Sequence, residues 1–312
     1  MISDMTRRDF VQMAALAAGS VAAPSALAES TLTPNEVVDR IKKKLADEGV
    51  IWQRSNFDGF HLGDPNVAVT GIAVTFQPGL DVLHRASAAG KNFVICHEST
   101  FWDGFDPVIV MKDDPVAKAK IRFAEEHKMA VWRIHDHWHR RKPDPIFQGL
   151  AAKLDWAQYY QFVRSGQGHY AIPAMPLDEV ARHIQEKLRT KNVVVVGDPK
   201  LQVTTIGDCI HNLVSVLPAL HNYDVALVGE TPEHDTFEYV RDAMALGEKK
   251  AVIMISHEGL EEWGMVSMVD WLKPIVPEVP IEWVATGDPF VVPRSTSRAM
   301  LPKARAINDR SS

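Results

Sequence analysis

Apolar positions along the chain follow two patterns, one with the spacing of an amphipathic helix and one of short continuous runs. Residues 34–47 repeat an apolar side chain every three to four positions behind Thr33, which is typical of a helix N-cap. Residues 192–197 contain four consecutive valines, which predicts a buried strand. The first pattern also predicts helices over residues 80–89, 118–127, 147–154, 177–188, 236–246 and 258–272, and the second predicts strands over residues 67–76, 92–96, 130–134, 225–229, 251–256 and 281–285.

This alternation of elements predicts an α/β fold with two related α/β domains. Strands that alternate with helices form mainly parallel or mixed sheets, and helices cover both of their faces. Residues 166–176 contain Gly and Pro and few charges, which places a boundary near residue 175 and gives domains over residues 29–175 and 176–293. The polar tail over residues 294–312 is predicted to be disordered.

The first 28 residues have the layout of an export signal. The pair Arg7-Arg8 precedes an alanine-rich apolar run over residues 11–23, and Ala26-Leu27-Ala28 supplies the small residues of a cleavage site. The run is too short to span a membrane, and the paired arginines favour export by the twin-arginine translocase. We therefore expect a periplasmic protein without a stable membrane anchor. A general secretory signal and an uncleaved N-terminal helix are the alternatives.

Composition and charge exclude several classes of function. Hydrophobic residues make up 46% of the 312-residue chain and charged residues 24%, as in an ordinary folded domain. The net charge of −6 argues against a nucleic-acid partner, because phosphate binding requires clustered Lys and Arg. Cys96 and Cys209 form neither a disulfide framework nor a zinc motif. The unusual feature of the composition is its thirteen histidines, which are therefore the first candidates for functional residues.

Histidines and carboxylates follow three of the predicted strands. In chain order they are His97-Glu98, the run His135-Asp136-His137-Trp138-His139, and His257 with Glu261. Ligands bind at the carboxyl edge of open α/β sheets, and imidazole together with carboxylate suits Zn, Fe, Mn or Co. The pattern therefore predicts a metal site, although a single histidine at a strand end more often packs in the core or caps a helix. The remaining histidines lack this setting and are predicted to be surface or core residues: His61, His84, His127, His169, His183, His211, His221 and His234.

The conformation of the middle segment decides which of its histidines share a face. On a helix, His135 and His139 lie on the same side, as His257 and Glu261 do. In an extended segment, His135, His137 and His139 all point the same way. The sequence leaves both conformations open.

Several segments resemble, in order, the NIF-three-like (NGG-interacting factor three-like) family of dinuclear metal-centre hexameric proteins. That family has a His-His pair after one strand, where this chain has His97-Glu98. It has His-Thr-Asn-Leu-Asp after a second strand, where this chain has residues 135–139, and a C-terminal Gly-His-x-x-x-Glu, where this chain has residues 256–261. The resemblance extends over roughly residues 35–292.

The resemblance implies two divalent ions in the cleft between the two domains, and a homo-hexameric ring. The ligands that it implies are His97, Glu98, His135, His139, His257 and Glu261. Glu98 replaces the family's second histidine and His139 replaces its aspartate, so the bridging carboxylate becomes Glu98 or Glu261; a mononuclear site is the alternative. The reserve candidates, which would ligate or orient an imidazole, are Asp103, Asp136 and His137.

These expectations favour a metal-dependent hydrolase that activates water at a dinuclear centre and acts on an unidentified small molecule. The sequence has no Walker or GxGxxG motif for a nucleotide and no GxSxG elbow for a serine hydrolase. A non-enzymatic ring-shaped protein that stores, buffers or senses metal is the second hypothesis. The spacing His135-x-His137-x-His139 also resembles a metallo-β-lactamase motif but lacks its Asp-His continuation.

Overall fold

The computed structural model describes residues 32–104, 113–164, 167–209, 211 and 213–291. The predicted export signal and the predicted disordered tail lie outside these residues. The described residues form two mixed sheets covered by helices, so the predicted α/β class is confirmed. Within the described ranges, no helix is long and apolar enough to cross a membrane.

The elements fall into strands and helices that alternate along much of the chain. The strands are β1 (Gly59–Gly63), β2 (Ile72–Thr75), β3 (Phe93–Cys96), β4 (Ala130–Arg133), β5 (Tyr160–Arg164), β6 (Gln167–Pro176), β7 (Val194–Val196), β8 (Gln202–Cys209), β9 (Val225–Val228), β10 (Ala251–Met254) and β11 (Ile281–Trp283). The helices are α1 (Pro34–Asp47), α2 (Leu80–Ala88), α3 (Pro115–Glu126), α4 (Asp136–His139), α5 (Pro145–Lys153), α6 (Leu177–Leu188), α7 (Leu213–Asn222), α8 (Glu238–Ala245) and α9 (His257–Leu272), with a 3₁₀ turn at Ala157–Tyr159 and a π-helical turn at Glu233–Phe237.

The first sheet has the strand order β1-β4-β3-β2-β11. Strands β4, β3, β2 and β11 run parallel, and β1 pairs antiparallel with β4 at one edge. Side chains of β2, β3 and β4 are buried throughout, because α2 and α3 pack on one face while α1 and α9 pack on the other. Strands that are buried on both faces have apolar residues at successive positions, and this is why the sequence pattern predicted them.

The second sheet has the strand order β5-β6-β8-β9-β10-β7. Its core is the parallel set β8, β9 and β10, while β5, β6 and β7 run antiparallel to their neighbours. Helices α5 and α6 and the start of α9 cover one face, and α7 and α8 cover the other. In each of the two sheets, the parallel strands therefore end at loops that lead into helices.

Local capping explains where the helices begin. Thr33 and Glu36 form a reciprocal capping box at the start of α1, as the N-cap prediction for Thr33 requires. Asp144 caps α5 by accepting a hydrogen bond from the backbone N–H of Ile146, and Ser256 caps α9 through that of Gly259. Both of these caps stand next to candidate metal ligands, so the helix starts fix the position of that chemistry.

In the second sheet, the predicted burial of one strand was wrong, and a segment interpreted from its composition forms a strand. The valine run was predicted to be buried, but β7 is the edge strand of the described sheet, where it pairs with β10, and Val194 is 44% exposed. The segment over residues 166–176 was interpreted as a boundary, but Gln167–Pro176 is β6, a strand that pairs with both β5 and β8. Its burial alternates around Tyr170 and Ile172, and its Gly and Pro residues obscured that period of two.

Helix α9 connects the two sheets. Leu260 near its start packs in the core of the second sheet, while Met265 and Met268 pack in the core of the first. Where α9 crosses α5 the two backbones nearly touch, because a Cβ added at Gly264 would come within 3.0 Å of backbone atoms of Ile146. Only glycine permits that approach.

Candidate metal centre

The three strand ends that carry the candidate ligands meet between the sheets. His97 and Glu98 follow β3, and their backbone N–H groups donate to the carbonyl of Phe76 at 2.9 and 2.8 Å. His135 follows β4, the neighbouring parallel strand of the same sheet. His257 is the first residue of α9, directly after β10 of the second sheet.

The middle segment adopts the helical alternative. Residues 136–139 form α4, and the backbone N–H of His139 donates to the carbonyl of His135 at 3.1 Å. This single turn brings the His135 and His139 rings to a centroid distance of 4.9 Å. His137 lies elsewhere, because its ring stacks on Trp52 and its Nε2 accepts a hydrogen bond from the backbone N–H of Gln53 at 2.9 Å.

The candidate ligand atoms form two overlapping groups that share His97. One contains His97, His135 and His139, and the other contains His97, Glu98 and Glu261; within each group the ligand atoms lie within 4.8 Å of one another. His257 joins them through Glu261, whose Oε2 lies 3.2 Å from His97 Nε2 and 3.1 Å from His257 Nε2. All six sequence-predicted residues are therefore brought together.

Each of three histidines has its Nδ1 held by a hydrogen-bond acceptor. His97 Nδ1 donates to the carbonyl of Ile134 at 3.2 Å, and His135 Nδ1 lies 3.0 Å from Asp136 Oδ1. A similar 2.9 Å contact joins His139 Nδ1 to the buried carboxylate of Asp144. An acceptor at Nδ1 fixes the ring and makes Nε2 the ligand atom, which is how metal-binding histidines are usually supported. This arrangement places Asp136 and Asp144 in orienting roles.

Burial and charge set the protonation of the central residues. Burial, reinforced by His135, lowers the pKa of His97 to about 4, so this ring is neutral at pH 7. Burial alone would raise the pKa of Glu261, but the adjacent His257 outweighs it and holds that pKa well below its usual range. A neutral imidazole and a charged carboxylate are the forms that bind metal.

Two buried atoms at the centre have the chemistry to bind a cation. Glu261 is completely buried, and its Oε1 makes no hydrogen bond with any residue in the described ranges. His97 Nε2 is also buried, and its 3.2 Å approach to Glu261 Oε2 does not have hydrogen-bond geometry. Buried polar atoms are nearly always satisfied, so orphaned imidazole and carboxylate atoms side by side suit a divalent ion.

Arg133 fixes Glu98. The buried guanidinium donates to Glu98 Oε2 at 2.8 Å, to the carbonyl of His97 at 2.9 Å and to that of Gly104 at 2.6 Å. The other oxygen of Glu98, Oε1, lies 3.6 Å from His135 Nε2. One carboxylate oxygen is thus committed to Arg133 while the other faces the candidate ligands.

Sequence reasoning missed two residues of a third group, which consists of His211, Glu230 and His257. Glu230 Oε1 lies 2.9 Å from His211 Nδ1, and its Oε2 lies 3.6 Å from His257 Nδ1. Glu230 follows β9, which the sequence predicted, so a search for acidic residues and histidines after predicted strands could have found it. His211 follows β8, which was not predicted as a strand, and the interpretation of His211 as an ordinary surface or core residue misses this grouping. Asp103 belongs to none of the three groups.

A cavity of about 430 Å³ lies beside the centre. Its lining includes three candidate ligands, Glu98, His135 and His257. It also includes Glu258, whose pKa burial raises to about 7. The volume lies within the range of small-molecule sites, so a small molecule in this cavity would lie beside the candidate ligands.

Replacing Asp144 by asparagine tests the support of His139. Burial by itself lowers the pKa of His139, but the Asp144 carboxylate outweighs it and raises the pKa to about 9. Asp144→Asn keeps an oxygen for the α5 cap and removes the charge that orients the ring, so we expect metal affinity to fall by about tenfold to hundredfold. Competition with a chromogenic chelator measures this. Asp155→Asn, at an exposed carboxylate paired with Lys187, serves as the control, and equal affinity in the two variants contradicts the role of Asp144.

Comparison with known proteins gives one family and several similar structures. The family model described as Duf34/NIF3 (NGG1p interacting factor 3) matches residues 35–288. Staphylococcus aureus protein SA1388 is 16% identical with a TM-score of 0.65, and the match covers 84% of this chain and 100% of that one. A Bacillus cereus protein related to NIF3 is 13% identical with a TM-score of 0.65, covering 84% and 99% of the two chains.

A third solved structure, reduced HcgD from Methanocaldococcus jannaschii, is 15% identical with a TM-score of 0.60, covering 81% of this chain and 98% of that one. At these identities the similarity shows a shared fold. No curated protein matches the chain.

Proposed function

This chain belongs to the Duf34/NIF3 family, and from that premise we propose that it is a metal-dependent hydrolase with a dinuclear centre. The observation that carries the proposal is the buried Glu261 carboxylate between His97 and His257, with an oxygen that no described residue satisfies. A buried carboxylate oxygen without a hydrogen-bond donor is costly, and a divalent cation would offset that cost. The residues that would hold metal are His97, Glu98, His135, His139, His257 and Glu261.

Glu261 is the better candidate to bridge two ions. A carboxylate can contact two cations, whereas a neutral imidazole binds one. Arg133 already occupies Glu98 Oε2, which leaves Glu98 suited to a terminal role. Glu261 presents Oε2 to His97 and His257 and has Oε1 without a hydrogen bond to the described residues.

When bound by these residues, divalent ions would supply Lewis acidity and would favour deprotonation of water at neutral pH. The chain's own contribution is positioning. Arg133 holds Glu98, and Asp136 and Asp144 hold the rings of His135 and His139. The adjoining cavity gives a small molecule access to the centre, which favours catalysis over closed storage of metal.

Elemental analysis combined with a hydrolysis panel tests the proposal. Protein purified without added metal should contain about two divalent ions per chain, as a two-metal site requires. It should hydrolyse at least one of a set of chromogenic amides, esters and phosphate esters, and chelation should abolish that activity until metal is restored. Absence of bound metal refutes the proposal. A protein that binds two ions but hydrolyses none of these compounds would support the storage, buffering or sensing alternative.

We extend the proposal to assembly and location. Family membership and the Arg7-Arg8 pair support a homo-hexameric ring that the twin-arginine translocase exports to the periplasm. Light scattering that gives the mass of a single chain contradicts the ring.

A further inference from the structure

Four buried oxygen atoms in the second sheet make no hydrogen bond with any described residue. They are the hydroxyl oxygens of Tyr160 and Tyr170 and both carboxylate oxygens of Asp208. Tyr170 is completely buried, and Asp208 is only 2% exposed. Because buried polar atoms are nearly always satisfied, four such oxygens in one region indicate a polar ligand.

Strand register places these oxygens on one face of the sheet. Tyr160 of β5 pairs with Tyr170 of β6, and Tyr170 pairs with Ile206 of β8, two residues before Asp208. Paired residues, and residues two apart on one strand, point to the same side of a sheet. All three side chains therefore lie on the face where Tyr170 and Ile206 pack in the core with α5 and α6.

A glycine brings the Tyr160 hydroxyl next to Asp208. The antiparallel register of β6 and β8 puts Gly168 beside Asp208. A Cβ at Gly168 would lie 2.5 Å from the hydroxyl oxygen of Tyr160, so this hydroxyl occupies the space that a side chain would fill. The Tyr170 hydroxyl also acts on the carboxylate, where it partly offsets the rise that burial causes in the pKa of Asp208. The three side chains therefore converge.

The charge and the ligand atoms of this group favour one kind of occupant. The charged side chain that acts on Asp208 most strongly is Asp144, which is also negative, so a buried carboxylate here needs a positive partner. Water would satisfy the hydroxyls but would not balance the charge. Oxygen atoms suit hard cations, and one carboxylate with two neutral hydroxyls matches a single positive charge, whereas divalent calcium sites use several carboxylates.

We propose that Asp208, Tyr160 and Tyr170 form a site for a small monovalent cation such as Na⁺, K⁺ or NH₄⁺. The cation joins β5 and β6 to β8 from inside the core. None of the three groups of candidate ligands described above contains these residues, so the site is separate from the proposed divalent centre. The inference therefore goes beyond the proposed hydrolase and does not depend on it.

Thermal unfolding of the full metal-loaded protein in different chloride salts tests the site. We expect the Tm to be about 2–4 °C higher in at least one of NaCl, KCl and NH₄Cl than in tetramethylammonium chloride at equal concentration, because a ligand that binds only the folded state stabilises it. The salt with the largest shift identifies the cation. Equal Tm values in all four salts overturn the inference.

A chelator separates this result from the fate of the divalent centre. EDTA, added as its tetramethylammonium salt, removes divalent ions and leaves the monovalent cations free. The shift between salts should persist in its presence. A shift that disappears with the divalent ions belongs to their centre and refutes the separate site.

Variants assign the shift to named residues. Asp208→Asn keeps the shape of the side chain but removes its charge, and should abolish the dependence of the Tm on the cation. Asp242→Asn, at an exposed residue of α8, is the matched control and should keep that dependence. Tyr160→Phe should weaken cation affinity, measured from the Tm over a salt titration, by about fivefold, and serves as the second test where Asp208→Asn folds poorly. An Asp208→Asn protein that keeps the full shift refutes the role of Asp208.

Crystals of the full protein soaked in thallium(I) acetate give a direct readout. Thallium(I) resembles K⁺ in charge and size and scatters anomalously. We expect an anomalous peak between the Asp208 carboxylate and the hydroxyls of Tyr160 and Tyr170. Ordered water at that position without an anomalous peak overturns the inference.

Discussion

Glu261→Gln is expected to remove most of the bound metal while leaving the chain folded. Glutamine has nearly the same shape as glutamate, but it cannot supply the negative charge that faces His97 and His257. Loss of a charged ligand from a completely buried position should lower metal affinity by more than about a hundredfold, since breaking a buried charge pair costs about 3–5 kcal/mol. Elemental analysis after dialysis against a weak chelator measures this directly.

Thermal unfolding gives a second readout of the same change. A ligand present at about 100 times its Kd stabilises the folded state by about 2.7 kcal/mol. Strong chelation should therefore lower the Tm of the unmodified protein and leave that of Glu261→Gln unchanged. Glu179→Gln, at an exposed residue of α6, should respond to chelation as the unmodified protein does. An equal response of Glu261→Gln contradicts a metal role for Glu261.

Gly264→Ala is expected to destabilise the fold by about 3 kcal/mol. Glycine to alanine in a helix interior normally stabilises by about 1 kcal/mol, so propensity alone predicts the opposite sign. At Gly264 the added Cβ would come within 3.0 Å of backbone atoms of Ile146, which cannot rotate away, and α5 and α9 must separate. The midpoint of urea unfolding measures the loss.

The control for this substitution is Gly104→Ala, because a Cβ at Gly104 meets no atom within 4 Å. This variant should change the free energy of unfolding by less than about 0.5 kcal/mol. Gly264→Ala should also weaken metal binding, since α9 carries His257 and Glu261 and α5 begins beside Asp144. Unchanged stability in Gly264→Ala would show that the helices adjust without cost.

Burial on both faces explains which strands the sequence predicts well. Strands β3 and β4 are continuous apolar runs because helices cover both of their sides. Strands β5 and β8 carry polar residues at exposed positions, and β6 contains Gly and Pro, so none of them stands out as an apolar run. The misjudged burial of β7 has a related cause: valine favours strands whether or not a neighbour covers them.

The search for residues after predicted strands gave the six candidate ligands and one positioning residue, Asp136, but it missed Asp144 and Asp58. His97, His135 and His257 follow strands that local pattern reveals. Asp144, the N-cap of α5, holds the His139 ring, and Asp58 accepts a hydrogen bond from the backbone N–H of His135 at 2.5 Å from a loop far away in sequence. Such partners depend on tertiary packing, which no local pattern encodes.

The connection that α9 makes between the sheets also determines when the centre can be assembled during biosynthesis. His97, Glu98, His135 and His139 belong to the first part of the chain, whereas His257 and Glu261 leave the ribosome long afterwards, on a helix whose start requires β10 and whose end packs on the first sheet. The nascent chain therefore holds four of the six candidate ligands until α9 has been synthesised. We therefore expect metal insertion at the proposed centre to follow the synthesis of α9 and to require that both sheets have formed.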